Sequence, residues 1–341
     1  MDQSRYRADI DGLRAIAVLG VMLFHIGDET FRGGFVGVDV FFVVSGFLIT
    51  RMIRDEIGRG VFSFSNFYVR RARRLFPALY FTFVVSFVAA FVLFSPQYLE
   101  RFGGALLHSV FSVANIYFWQ ESGYFDVEAG LKPLLHTWSL SVEEQFYLVW
   151  PAMLYVLLTK TPRHVVFIVL GAIGLSSLFL TEYFIVSKVA IFYLAPFRGV
   201  EFAIGAAMVW LAEHQPRNKL ILEPLVVVGL GMIAYAMVTF SGNTAFPGVN
   251  ALVPCFGTAL LMYAGTARYA GRILTNRLAV GIGLISYSLY LIHWPMIVFY
   301  KSFNFNELPL FDGYVVISLS VVVAALMYRF VESPFRFRDQ G

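Results

Sequence analysis

The chain has little charge and almost no cysteine. Asp, Glu, Lys and Arg make up only 14% of its 341 residues, against about a quarter in an ordinary soluble domain. Cys255 is the single cysteine, which excludes an intramolecular disulfide and a thiolate metal cluster. No HxxxH or HxxE spacing pre-organises ligands on one helix, so a bound metal is not expected. The glycines of Gly33-Gly34-Phe35-Val36-Gly37 and of Ser45-Gly46 form neither a phosphate loop nor a dinucleotide fingerprint; close helix approach explains them better. Low-complexity tracts and internal repeats are missing, and no small-residue cleavage site follows the first apolar run, so a cleavable signal peptide is not expected. The net charge of +4 is modest and gives no reason to expect nucleic acid as a partner.

What the chain has is apolar surface. Hydrophobic residues reach 58% and aromatics 17%, with mean hydropathy +0.70. A soluble fold could not bury that much, whereas a helical bundle facing lipid need not. Apolar stretches run over 12–27, 35–53, 77–94, 104–119, 137–158, 164–180, 190–212, 222–240, 249–265, 280–300 and 312–330. The positive-inside rule sorts them. If 104–119 crossed, the acidic loop with Glu121, Asp126 and Glu128 would lie inside. Lys160/Arg163, Arg217/Lys219 and Arg268/Arg272/Arg277 would then lie outside. If 104–119 enters and turns back, every basic loop and the tail with Arg336 and Arg338 fall inside. The expected fold is therefore an all-α polytopic membrane domain over 1–341, with about ten transmembrane helices, a short or re-entrant fourth segment and both termini cytoplasmic. Residues 54–76 are expected to form a cytoplasmic, interfacial connection anchored by Phe62, Phe64, Phe67 and Tyr68.

This topology orders the costly ionisable residues by depth. Arg14 and His25 lie eleven residues apart on the first helix. They therefore point from one face, about 16 Å apart along the axis. His25, Asp39, Glu143, Glu144 and His293 are predicted in one layer in the outer half. A His beside a carboxylate is the usual general base. The plain alternative is that His25–Asp39 or His293–Glu143 are hydrogen-bonded pairs locking the bundle, and a metal site is a weaker one. The cluster Arg70-Arg71-Ala72-Arg73-Arg74 either sets topology or grips a phosphorylated ligand, with Arg71 and Arg74 sharing a helical face. Arg198 and Glu201, one turn apart, read as an intrahelical pair that neutralises itself.

As strings these residues resemble the acyltransferase-3 family of membrane O-acyltransferases. The matches are GLRAIAVLGVMLFH with Arg14 and His25, GGFVGVDVFFVVSGFLIT at 33–50, FYVRRARRLFPA at 67–78, HTWSLSVEEQFYLVWP at 136–151, FRGVEFAIG at 197–205, ISYSLYLIHWP at 285–295 and RFVESPFR at 329–336. The resemblance implies a ten-helix domain in a bacterial inner membrane. It would take an acyl group, commonly acetyl from cytoplasmic acetyl-CoA as co-substrate, with no tightly bound cofactor. It would deliver that group to a hydroxyl of an extracytoplasmic glycan or lipid-linked sugar, such as O-antigen of lipopolysaccharide. The family's essential Arg and His fall on Arg14 and His25, and its paired donor-binding arginines on Arg71 and Arg74. His25 is then expected as general base oriented by Asp39, with Glu143 placing the sugar or shuttling a proton; an acyl-histidine intermediate is the alternative. Glu144, Trp138, Ser139, Arg198, Glu201, Tyr287 and His293 are expected to support the site or touch the acceptor. Trp119, Tyr124 and Phe125 are further candidates for stacking on a sugar. The N-terminal string looks most like the subgroup followed by an SGNH-type esterase-like domain, which is not present up to Gly341. A stand-alone member, a separate SGNH-type partner protein and a longer chain are the three arrangements open. A transporter or flippase without transfer chemistry is the rival function, and a membrane subunit serving other envelope enzymes a lesser one.

Overall fold

The computed structural model describes residues 6–122, 129–216, 218–305 and 307–336. Arg5, Tyr124, Phe125, Asp126, Glu128, Arg217 and Arg338 lie outside them. All regular structure among the described residues is helical. In order the helices are α1 (Ala8–His25), α2 (Gly37–Gly58), α3 (Phe64–Leu93), α4 (Pro96–Val110), α5 (Ala114–Glu121), α6 (Thr137–Lys160) and α7 (Arg163–Tyr183). There follow α8 (Lys188–Tyr193), α9 (Gly199–Leu211), α10 (Glu223–Thr239), α11 (Leu252–Ala264), α12 (Arg272–Thr275), α13 (Arg277–Phe303), α14 (Leu310–Met327) and α15 (Ser333–Arg336).

Among the described residues, six helical stretches are both long and apolar enough to cross a membrane: Gly34–Gly58, Phe64–Leu93, Arg163–Tyr183, Lys219–Thr239, Arg277–Phe303 and Leu310–Arg336. The chain is a helical membrane protein. The expected fourth segment is broken: α4 stops at Val110, Ser112 takes φ 56°, and α5 restarts at Ala114. At 15 and 8 residues the two pieces are about 22 and 12 Å long, short of a hydrocarbon core of about 30 Å. The segment at 190–212 is broken as well, by a 3-10 turn over Ala195–Arg198. The expected interfacial connection over 54–76 is not a separate element. α2 continues to Gly58, Gly60 turns the chain with φ 71°, and Ser63 caps α3 by accepting from the Asn66 N–H. The arginine cluster thus rides on a helix of 30 residues that runs on into the apolar span, because nothing between Phe64 and Pro77 breaks helical backbone.

Contacts gather the chain into two units, and the division falls within α1, α6 and α13. The first holds the chain up to Phe24, Asp28–Val61 and Tyr147–Leu284. Its centre is α2 against α9, where Gly46 meets the Phe202 backbone and Gly205 meets the Val43 backbone too closely for any Cβ. Between lipid-embedded helices such close approach replaces the hydrophobic drive that water supplies elsewhere. Phe42 and Phe202 stack at 4.9 Å beside it. Polar ties join α6 to α2: Trp150 Nε1 donates to Thr50 Oγ1 at 2.7 Å, and the Tyr147 hydroxyl to Ser45 Oγ at 3.2 Å.

The second unit holds His25–Gly27, Phe62–Phe146 and the chain from Ile285 onward. Its buried polar ties are Tyr287 hydroxyl to the Leu75 carbonyl at 3.0 Å and Ser288 Oγ to Glu332 Oε2 at 2.9 Å. Glu332 lies in a π-helical turn, Tyr328–Glu332, and also takes Arg336 at 3.0 Å. Replacing Gly205 by Leu is expected to force α2 and α9 apart, at a cost of about 1–3 kcal/mol or more. A melting temperature in detergent lower than wild type, with Gly231→Leu as the unhindered control, checks it.

Candidate active site

Three imidazoles meet in the second unit. His25 is the last residue of α1, His136 stands directly before α6, and His293 sits in α13. His25 Nδ1 and His293 Nε2 are 3.0 Å apart, and their rings stack at 5.2 Å between centroids. Nδ1 of His293 faces two carbonyl oxygens, Tyr290 at 2.7 Å and Leu289 at 3.2 Å. Carbonyls only accept, so in the neutral ring Nδ1 carries the proton and Nε2 the lone pair. His25 must then donate from Nδ1, which leaves its own lone pair on Nε2. His293 and His136 are buried, whereas His25 keeps solvent-accessible surface. Trp294 packs on His25 at 4.5 Å and is itself held by its indole N–H on the Lys132 carbonyl, at 2.8 Å.

This arrangement corrects two expected pairings. Both nitrogens of His293 are committed, to backbone carbonyls and to His25, so His293 is not a partner of Glu143. Asp39, expected to orient His25, instead binds Arg198 Nη1 at 3.1 Å. Arg198 also meets Glu201 at 3.4 Å, so the expected intrahelical pair is a trio with Asp39. All three are essentially inaccessible, at 1%, 1% and 0% exposure. The guanidinium further donates to the Phe192 carbonyl at 3.1 and 3.0 Å and lies over the Phe192 and Phe246 rings. The trio belongs to the first unit and locks α2, α9 and the turn before α9 to one another. Arg14 is buried on α1, where Asp11 takes it at 3.3 Å.

A small polar cavity lies in the second unit, lined by Leu75, Ser109, Thr137, Ser141, Glu143, Glu144 and Tyr287 among others. Arg71 and Arg74 are half-buried on α3, one turn before the cavity wall begins at Leu75, and Arg71 is in electrostatic reach of Glu144. The other end of the lining is Thr137, next to His136. On α13, Tyr287 and His293 are six residues apart, about 9 Å of rise. Ser139 Oγ and the Tyr290 hydroxyl share a hydrogen bond of 2.7 Å beyond that end, and Trp138 is buried next to Ser139. Trp119 is exposed at the end of α5. Among the described residues no group of three or more His, Cys, Asp or Glu could hold a metal ion.

A family profile described as an acyltransferase domain matches residues 7–329. The chain belongs to the acyltransferase-3 family. Among curated relatives, the peptidoglycan O-acetyltransferase OatA of Listeria monocytogenes is 31% identical over 97% of this chain and 56% of its own length. The O-acetyltransferase OatA of Staphylococcus aureus is 31% identical over 98% of this chain and 58% of its own. The chain thus spans a little under three-fifths of these relatives. No solved structure matches it.

Within this acyltransferase-3 chain the paired arginines, the polar cavity and His25 all fall in one unit. Sequence reasoning missed His136 and Tyr290, although both lie inside strings that carried the family resemblance. A signal for His136 was available: an imidazole in the turn before an apolar helix sits where backbone groups are unsatisfied and a buried polar ring has work to do. Arg198→Leu is expected to destabilise the protein by about 3–5 kcal/mol, because it strands two buried carboxyl groups. Unfolding in detergent measures it, with Asp39→Asn, which leaves Arg198 its bond to Glu201, falling by less.

Proposed function

We propose that the chain is the membrane domain of a bacterial O-acetyltransferase. It moves an acetyl group from acetyl-CoA, entering on the cytoplasmic side of the inner membrane, to a hydroxyl of an extracytoplasmic glycan. The observation that carries this reading is the His25–His293 hydrogen bond. It puts a lone pair on Nε2 of His25, the least buried of the three clustered imidazoles, and places a proton acceptor behind it. The acceptor hydroxyl gives its proton to His25 Nε2 as its oxygen attacks the thioester carbonyl. The departing thiolate then takes that proton, so CoA leaves as the thiol. His293 supports the transient imidazolium through its two backbone carbonyls, in the place where a carboxylate was expected.

The donor path is argued from the same unit. Arg71 and Arg74 suit the donor's phosphates as guanidinium forks. The cavity that begins at Leu75 offers the hydroxyls of Ser109, Thr137, Ser141 and Tyr287 to the amides of a pantetheine arm, with Glu143 and Glu144 as acceptors. Arg14, on the helix that ends in His25, keeps the essential role implied by the family. About ten crossings with cytoplasmic termini would put His25 toward the outer face. For the acceptor, the name of the Listeria relative supports a cell-wall glycan. Peptidoglycan and O-antigen are the two classes to assay, with and without a separately supplied SGNH-type partner.

Purified protein incubated with labelled acetyl-CoA and glycan is expected to release CoA and label the glycan. His25→Ala is expected to lower the rate by at least about 10²–10⁴, the usual worth of a general base. Substrate movement across vesicles without CoA release would make the protein a carrier instead. Replacing Arg71 and Arg74 together by Ala is expected to raise the apparent KM for acetyl-CoA at least about tenfold, roughly 1.4 kcal/mol. An unchanged KM would return them to setting topology.

A further inference from the structure

His136 is used by nothing described so far, yet it is among the most costly placements in the molecule. Its side chain is buried, and neither Nδ1 nor Nε2 has a hydrogen-bond partner. An unmet buried donor or acceptor costs about 1–3 kcal/mol. Such groups are rare and call for an explanation. The ring lies 6.0 Å from His293 and 5.6 Å from Tyr290 between centroids, and both His136 and His293 are within electrostatic reach of His25.

The surroundings of the ring settle what it offers. The carbonyls of Pro133 and Leu291 approach it without reaching hydrogen-bond geometry. Pro295 lacks the N–H that would have closed the helical bond to Leu291, which leaves that carbonyl without its helical donor. Carbonyls accept and cannot donate, so the ring sits in an acceptor-lined place and presents N–H. Whatever its charge state, an imidazole carries at least one N–H. Its backbone, by contrast, is pinned: the His136 carbonyl accepts from the Tyr290 hydroxyl at 3.1 Å and from Ser139 Oγ at 3.2 Å. A fixed backbone holding an N–H that has neighbouring carbonyls but no hydrogen bond of good geometry, near a proposed general base, is a donor prepared for a charge that forms only during reaction.

We propose that His136 donates a hydrogen bond to the oxyanion of the tetrahedral intermediate of acyl transfer. This rests on the acetyl-transfer reading above. In the step, the C–O bond to the acceptor forms, the carbonyl π electrons move onto oxygen, and the hydroxyl proton goes to His25 Nε2. The His136 N–H meets the new oxyanion. The carbonyl then re-forms, the C–S bond breaks, and the thiolate takes the proton from His25. The ground-state carbonyl is a weak acceptor and the oxyanion a strong one, so the contact lowers the barrier rather than tightening binding.

The experiment compares His136→Phe, which keeps a ring and removes the donor, with His136→Asn and His136→Gln. These two place an amide N–H near the positions of Nδ1 and Nε2. In detergent, with acetyl-CoA and the acceptor glycan, His136→Phe is expected to lose about 10²–10³ in kcat. Its KM for acetyl-CoA and its melting temperature should stay as in wild type. At least one of the amide variants should recover tenfold or more over Phe. A His136→Phe protein with wild-type kcat overturns the inference alone. So does an equal loss in all three variants, whether or not melting temperature falls with it. Wild-type protein that releases no CoA removes the acetyl-transfer reading, and the inference with it.

Discussion

The hydrogen bond from His25 to His293 is the contact on which the proposed chemistry rests. Its direction is set outside the pair, by two backbone carbonyls that hold a proton on His293 Nδ1. From that one constraint follow the tautomer of His25, the nitrogen that keeps a lone pair, and the route by which positive charge is shared once a proton is taken up. In the proposed reaction backbone carbonyls take the part of the carboxylate of a catalytic triad, orienting a ring and favouring its cation, without placing a full negative charge among apolar side chains. In a lipid-embedded bundle that substitution avoids desolvating a second ion.

The same economy explains the other buried charges. Asp39, Glu201 and Arg198 are fully enclosed, and an isolated ion there would be untenable. They instead form one trio that ties α2 to α9 at the level where glycines let the backbones touch. The broken helices serve a related purpose. Irregular backbone at membrane depth is tolerated where protein surrounds it, and the break between α4 and α5 is covered in this way: Gln145 donates to the Ser112 carbonyl at 3.2 Å and Ser141 accepts from the Ala114 N–H at 3.1 Å. Both donors and acceptors come from α6, the helix that follows His136 and carries Ser139, Glu143 and Glu144. α6 thereby links the break in the chain, the polar cavity and the histidine cluster.

The helical membrane class was legible from hydropathy, since apolar length is a local property. The interrupted fourth segment was legible for the same reason, because His108, Ser109, Ser112 and Asn115 punctuate it with groups that lipid would reject. The 54–76 connection was misread because aromatic and arginine residues suit an interface and a helix equally; the absence of a breaker between Phe64 and Pro77 decides for the helix. The placement of Arg14 and His25 on one helix was legible from their spacing. Asp39 was assigned to the wrong partner because depth in a membrane narrows the candidates to a layer but does not choose among them.

The sequence by itself determined a helical membrane protein, its family, the residues that carry ionisable chemistry and the helix shared by Arg14 and His25. Composition, periodicity and short strings hold that information. Only the tertiary structure decided that His25 bonds His293 across 268 residues, that Asp39 bonds Arg198 across 159, and that His136 stands buried and unmet near His293. Hydrogen bonds reach about 3 Å and depend on direction. Which two of several polar groups in one layer meet is therefore set by the rotation and packing of whole helices, and no local pattern in the chain encodes that.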